Sequence, residues 1–139
     1  MLRKGQAILL KLDFCDGGIC EYKRPFLVVD KNNDYIYLLN ISSTKGKEHK
    51  LGRRSNMLIK RYKPPFVKSS FVKLDSMYIV PNEEYIKNYL LNEGRALHPL
   101  ELKNILDSLT NYKENNGSFN SKVFDLNRIE ELNKSLVEI

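Results

Sequence analysis

The chain has 139 residues, 42% of them hydrophobic, and a formal net charge of +6. That length and apolar share suit one packed domain and exclude wholesale disorder. No apolar run approaches the roughly 18 residues of a membrane span and Met1-Leu2-Arg3-Lys4 does not open a signal peptide, so a cytoplasmic protein with no membrane partner is expected.

Gly5 to Phe14 alternates as a first strand, with Ile8, Leu10, Leu12 and Phe14 on one side and Lys11 and Asp13 on the other. Cys15 to Lys23 contains Asp16-Gly17-Gly18 and reads as a hairpin-type loop. Arg24-Pro25 opens the second strand, Phe26 to Asp30, where a missing N–H does least harm. After a turn at Lys31 to Asp34 comes the third strand, Tyr35 to Ile41, ending in the hydroxyl cluster Ser42-Ser43-Thr44. Both inner strands are apolar on both faces, as a small closed or strongly coiled barrel requires. Thr44 to Ser55 is a polar, basic loop, and Met57 to Lys60 is a short strand. Pro64-Pro65 breaks the chain before a long strand, Phe71 to Val80. In it Phe71, Lys73 and Asp75 share one face and Val72 and Leu74 the other.

The remainder reads as helical. A helix is expected over Asn82 to Asn92, with Tyr85, Ile86, Tyr89 and Leu90 on one stripe and Gly94 beyond its end. Pro99 opens a second helix carrying Leu102, Ile105, Leu106 and Leu109. Lys113 to Lys122 reads as a linker. Asp125 is placed to cap a last helix whose stripe is Leu126, Ile129, Leu132 and Leu136. The expected architecture is therefore a single domain over 1–139. It is mainly β with C-terminal helices, a partly open barrel over 1–81 packed by a helical part over 82–139.

The charge is unevenly spread. Residues 1–80 hold 16 Lys and Arg against 7 Asp and Glu, a net of +9, while residues 81–139 hold 7 against 10, a net of −3. Residues 45–73 carry ten basic residues opposed only by Glu48. Such a block gathers a polyanion through counterion release, whereas a merely solvated surface would mix its signs. Nucleic acid is the partner that this asymmetry favours.

Arg24 is the residue on which a functional reading turns. A guanidinium is always charged and offers a fork of donors that fits a phosphate. At a strand mouth beside hydroxyls, in a basic chain, it points to a phosphodiester. The competing reading pairs it with Glu21 or Asp30 at the surface. Likewise Ser42 is either a catalytic hydroxyl or a strand-end turn residue, and Asp75 with Lys73 either a site pair or a surface ion pair. The two cysteines, Cys15 and Cys20, flank a Gly-rich loop and either form a disulfide or, as an intracellular chain normally keeps them, stay reduced. With only His49 and His98 elsewhere they make no four-ligand zinc set, so no metal or cofactor is expected. Tyr62, Phe66 and Phe71 are candidates for stacking unpaired bases, or else core aromatics.

Three segments in order resemble the MazF/PemK-type toxin family. They are Lys4-Gly-Gln-Ala-Ile-Leu-Leu-Lys-Leu-Asp-Phe14, then Lys23-Arg24-Pro25-Phe-Leu-Val-Val29 followed by Leu39-Asn-Ile-Ser-Ser-Thr44, and Lys68-Ser-Ser-Phe-Val-Lys-Leu-Asp-Ser-Met-Tyr-Ile-Val80. The resemblance implies a small SH3-like, CcdB-like barrel that dimerises, and a metal-independent endoribonuclease held inactive by a cognate antitoxin. It implies cleavage of single-stranded RNA to 2′,3′-cyclic phosphate and 5′-hydroxyl ends. By match to the family's motifs, Arg24 falls on the active-site arginine, Ser42 on the catalytic hydroxyl, and Lys73 and Asp75 on a basic and acidic pair. Glu21 resembles an acidic residue of the preceding loop. Asp75 and Glu21 are the candidate general bases. Ser43, Thr44, Lys45, Lys47, Arg53, Arg54 and Lys73 are the expected RNA-binding set. The sequence departs from the family at Gln6, where an Asp is usual, and at Ser76, where a Gln is common. Two other classes stand beside the nuclease: a nucleic-acid-binding regulator without catalysis, and a protein-targeting toxin of the gyrase-poison kind on the same barrel.

Overall fold

A computed structural model of the chain describes residues 2–116 and 118–134. Leu136, expected to close the last helical stripe, lies outside the described residues. Six strands form one sheet: β1 (Ala7–Leu10), β2 (Arg24–Lys31), β3 (Tyr35–Ser43), β4 (Asn56–Ile59), β5 (Ser70–Pro81) and β6 (Asn120–Val123). Their order is β1-β2-β3-β5-β4, all antiparallel, with β6 added parallel to β5 at Ser76 to Ile79. Among the described residues no ladder joins β1 back to β4 or β6, so the sheet is mixed and not closed.

The double-sided apolar character of β2 and β3 has a direct cause: helices cover both faces. On one face Leu27, Val29, Leu39, Ile41, Val72 and Leu74 pack against Ile105 and Leu109 of α2 (Pro99–Asn116). On the other, Phe26, Val28, Leu38 and Val80 pack with Ile86 of α1 (Glu84–Lys87) and Ile129 of α3 (Leu126–Leu132). Asp125 caps α3, its Oδ1 accepting from the Arg128 N–H at 2.7 Å, as the sequence predicts.

Four sequence expectations are corrected. The first strand stops at Leu10, because Lys11 to Phe14 leave the ladder to run beneath α3. There the Lys11 backbone N–H donates to Asn133 Oδ1 at 2.8 Å and its carbonyl accepts from Asn133 Nδ2 at 2.9 Å. The expected helix over Asn82 to Asn92 is one turn, α1. Past it, Leu90 bridges Ile8 and the Leu91 N–H bonds the Ala7 carbonyl, so sheet pairing outcompetes helix extension. Of the expected linker, residues 113–116 belong to the last turn of α2 and residues 120–122 to β6. Residues 82–139 are thus not wholly helical, since β6 returns to the edge of β5 beyond β4.

One irregularity shapes the site. Between the pairs Leu39–Met77 and Ile41–Val72, four residues of β5 (Lys73, Leu74, Asp75, Ser76) face the single residue Asn40. A bulge of this kind bends its strand and flips the side-chain alternation beyond it. Val72, Leu74 and Met77 therefore share one face while Tyr78 joins Phe26 on the other.

Candidate functional site

A polar cavity of about 260 Å³ lies at the bulge, lined among others by Asp16, Arg24, Asn40, Lys73, Asp75, Ser76 and Tyr78. Arg24 enters from the first residue of β2 and is only 5% exposed. Its NH1 donates to Tyr78 Oη at 3.2 Å, and its NH2 to the carbonyls of Leu12 at 2.9 Å and Asp13 at 3.4 Å. The guanidinium carbon lies 4.5, 5.2 and 5.0 Å from the ring centres of Phe14, Phe26 and Tyr78. Its buried Nε has no hydrogen-bond acceptor. Among the described residues no carboxylate comes within ion-pair distance of it. The surface pairing with Glu21 or Asp30 is absent: Asp30 pairs with Lys4, and Asp13 with Arg128.

A buried cation without a carboxylate normally costs several kcal/mol. Carbonyl dipoles and the negative faces of three rings offset part of that cost here. The cavity lining carries a second cation, Lys73, and two carboxylates, Asp16 and Asp75, neither of them in ion-pair distance of Arg24. Lys73 is pushed below the ordinary lysine range chiefly by burial, then by Lys50, Arg24 and Lys47, with Asp75 opposing. Cations crowded on a partly desolvated wall attract an anion, and Asp16 and Asp75 in the same lining oppose that attraction. The Tyr78 hydroxyl is pushed up, chiefly by burial, against the stabilising Arg24 contact, so it holds its proton at neutral pH. Burial also raises the Cys15 thiol, whose Sγ points to the Met77 carbonyl at 3.4 Å. Cys15 and Cys20 are both free.

The site residues expected from sequence are only partly gathered. Arg24, Lys73 and Asp75 meet in the cavity. Ser42 stands outside its lining, on the stretch of β3 beyond Asn40, and its Oγ accepts from Lys47 Nζ at 3.1 Å. It therefore belongs to the basic rim. Glu21 is exposed in the loop before β2 and is not part of the lining. Ser43 faces a separate apolar cavity with Leu9, Pro25 and Phe66. Thr44 is tied to the Ser69 carbonyl by its N–H at 3.0 Å and by Oγ1 at 3.3 Å. Lys45 and Arg53 are exposed, while Arg54 lines a groove against α2 with Asn56, Ser108 and Asn111. Of the three aromatics expected to stack bases, Phe71 and Phe66 are buried in the core and Tyr62 keeps an accessible surface.

Sequence reasoning missed Tyr78 and Asn40. Asn40 carried a signal, as the one amide inside a strand apolar on both faces. Buried, it donates from Nδ2 to the carbonyls of Pro25 and Ile41, each at 3.2 Å. Tyr78 carried none, because only the bulge turns it towards Arg24. Among the described residues no cluster of His, Cys, Asp and Glu is arranged to hold a metal ion. The sequence matches no protein-family model and no curated protein.

Proposed function

We propose that the chain is a metal-independent endoribonuclease acting on single-stranded RNA, the toxin of a toxin–antitoxin pair as the MazF/PemK-type resemblance implies. An SH3-like, CcdB-like dimeric barrel and a cytoplasmic location belong to the same proposal. The observation that carries it is Arg24: a buried guanidinium in a cavity wall, with no carboxylate in ion-pair distance, with a buried Nε–H that has no acceptor, and with Lys73 and Asp75 in the same lining. A phosphoryl group is the ligand whose charge and acceptors fit that wall.

In this mechanism a nonbridging phosphoryl oxygen meets Arg24 and Lys73, which offset the charge that develops at phosphorus. Asp75 takes the proton of the 2′-hydroxyl as its oxygen attacks phosphorus. The bond to the 5′-oxygen breaks, and Tyr78 supplies the proton to that leaving oxygen. The products are a 2′,3′-cyclic phosphate and a 5′-hydroxyl. Lys47 and Ser42 hold the adjoining backbone at the rim. Removing one charge-stabilising donor typically costs on the order of 10²–10³ in rate, and Arg24 is the largest such donor.

The second reading, RNA binding without cleavage, is favoured by one observation. Arg24 already spends three contacts on protein acceptors, which suits a structural arginine. Long single-stranded RNA incubated with the protein in EDTA separates the two. Discrete fragments with cyclic-phosphate ends, absent for Arg24→Ala, support the nuclease. Intact RNA that still shifts on a gel, with affinity falling steeply as salt rises, supports the binder instead.

A further inference from the structure

A second basic groove, apart from the Arg24 cavity, is unexplained by the chemistry above. It has a volume of about 680 Å³ and is rimmed by Arg3, Lys60, Arg61 and Lys63, with Tyr62 and His98. Its floor is apolar, from Pro64, Ala96, Leu97 and Pro99. None of the residues lining it is acidic. Among the described residues none of the four cations makes an ion pair with a carboxylate. Glu101, the acid in contact with this stretch, is buried and accepts from the Lys60 backbone N–H at 3.2 Å. Arg61 NH1 lies 3.3 Å from His98 Nε2, and His98 Nδ1 accepts from the Leu100 N–H at 3.1 Å, so that amide is already occupied. Recognition in the groove falls to side-chain cations over an apolar floor.

We infer that this groove binds the backbone and one base of single-stranded RNA, a stretch lying away from the bond that is cut. Four cations on one rim, none of them in an ion pair with a carboxylate among the described residues, are each a contact for a phosphate, and their mutual repulsion is relieved when an anion enters. Tyr62 packs on the core and also lines the groove, with Lys63 Nζ 6.0 Å from its ring centre; a base that stacks on the ring takes the place of that ammonium, which turns to a phosphate. An acidic peptide would satisfy the cations but leave the apolar floor and Tyr62 without a flat partner. The inference deepens the RNA reading and rests on it for the ligand, though not on cleavage.

The test is fluorescence anisotropy of a labelled 12-nucleotide oligouridylate across a salt series. It compares the wild-type chain, Arg61→Ala/Lys63→Ala, Tyr62→Leu and Arg24→Ala. Arg61 and Lys63 are exposed, so their loss leaves the fold intact, as circular dichroism will verify. The double variant is expected to raise Kd about tenfold and to lower the slope of log K on log salt by about 1.4, two contacts at roughly 0.7 each. Tyr62→Leu is expected to raise Kd about tenfold with the slope unchanged. Binding of the double variant with wild-type Kd and slope overturns the groove. So does an absence of RNA binding by the wild-type chain, or displacement of the oligonucleotide by polyglutamate at equal charge. RNA that binds through Arg61 and Lys63 but is never cut keeps the groove and removes the nuclease. RNA that is cut with no dependence on either residue removes the groove alone.

Discussion

Arg24 is held by two carbonyls, one tyrosine hydroxyl and three aromatic faces, and none of these carries a full negative charge. Such a shell fixes the guanidinium without neutralising it, so its charge stays free to act on a ligand. Tyr78→Phe tests that shell. It leaves Arg24 NH1 without its acceptor and should destabilise the fold by about 1–3 kcal/mol in urea unfolding. If the proposed cleavage uses Tyr78 as its proton donor, the rate should also fall by about a hundredfold beyond any binding loss. A variant as active as the wild-type chain removes Tyr78 from the chemistry. Cys15 reports on the same wall. Burial lifts its thiol above the ordinary 9.0, so less thiolate is present at any given pH in the folded chain than in the unfolded one. In a Cys20→Ser background, its reaction with a disulfide reagent should be slow at pH 8 and rise only at more alkaline pH than in the denatured chain. The same shift implies that Cys15's contribution to stability is intact below pH 9.0 and is lost as pH climbs through the raised value.

The element that keeps Arg24 in place is the strap of Lys11 to Phe14, clamped from outside by α3. Arg128 grips both carboxylate oxygens of Asp13, at 3.0 Å through Nε and 3.1 Å through NH2, while Asn133 pairs with both backbone groups of Lys11. Asp13 and Leu12 in turn present the carbonyls to which Arg24 donates. Arg128→Ala should therefore raise deuterium uptake across the strap and leave the Val72 to Leu74 stretch of β5 unchanged. Equal uptake in both would place the two segments in one unfolding unit. Ile129 is fully buried against this strap's side of the sheet, so Ile129→Ala should cost about 2–5 kcal/mol in denaturant unfolding. A cost near zero would contradict α3 as a packed element. The clamp could not be read from the sequence. Arg128 stands 115 residues from Asp13, and nothing local in either stretch announces the pair. The cap at Asp125 and the apolar stripe through Ile129 are local patterns, and both were legible. The helix expected after Asn82 failed for the converse reason. Its stripe was real, yet Leu90 and Leu91 found sheet partners in β1 that local periodicity does not reveal.

At the scale of the whole molecule the basic excess of residues 45–73 does not form one continuous track. It divides among the rim of the Arg24 cavity, the groove at Lys60 to Lys63, and the α2 groove that holds Arg54. The sequence made the charge visible but not its partition, since β4 and the bulge of β5 decide which lysine faces which cavity. The strands β2, β3 and β5 were legible almost to the residue, because each is apolar and bounded by a turn or a proline. Sheet order and the return of β6 were not, as they depend on pairing between distant segments. No helix among the described residues is long and apolar enough to cross a membrane.

The most direct measurement is the single-turnover rate of RNA cleavage in EDTA, with end-group analysis, for the wild-type chain, Arg24→Lys and Lys73→Ala. Cyclic-phosphate fragments are expected from the wild-type chain. Arg24→Lys should be slower by on the order of a hundredfold or more, because lysine keeps the charge but loses the fork. Lys73→Ala should be intermediate. Full wild-type activity in Arg24→Lys and Lys73→Ala together, or RNA left intact by the wild-type chain, would contradict the assignment of this cavity as the site of cleavage.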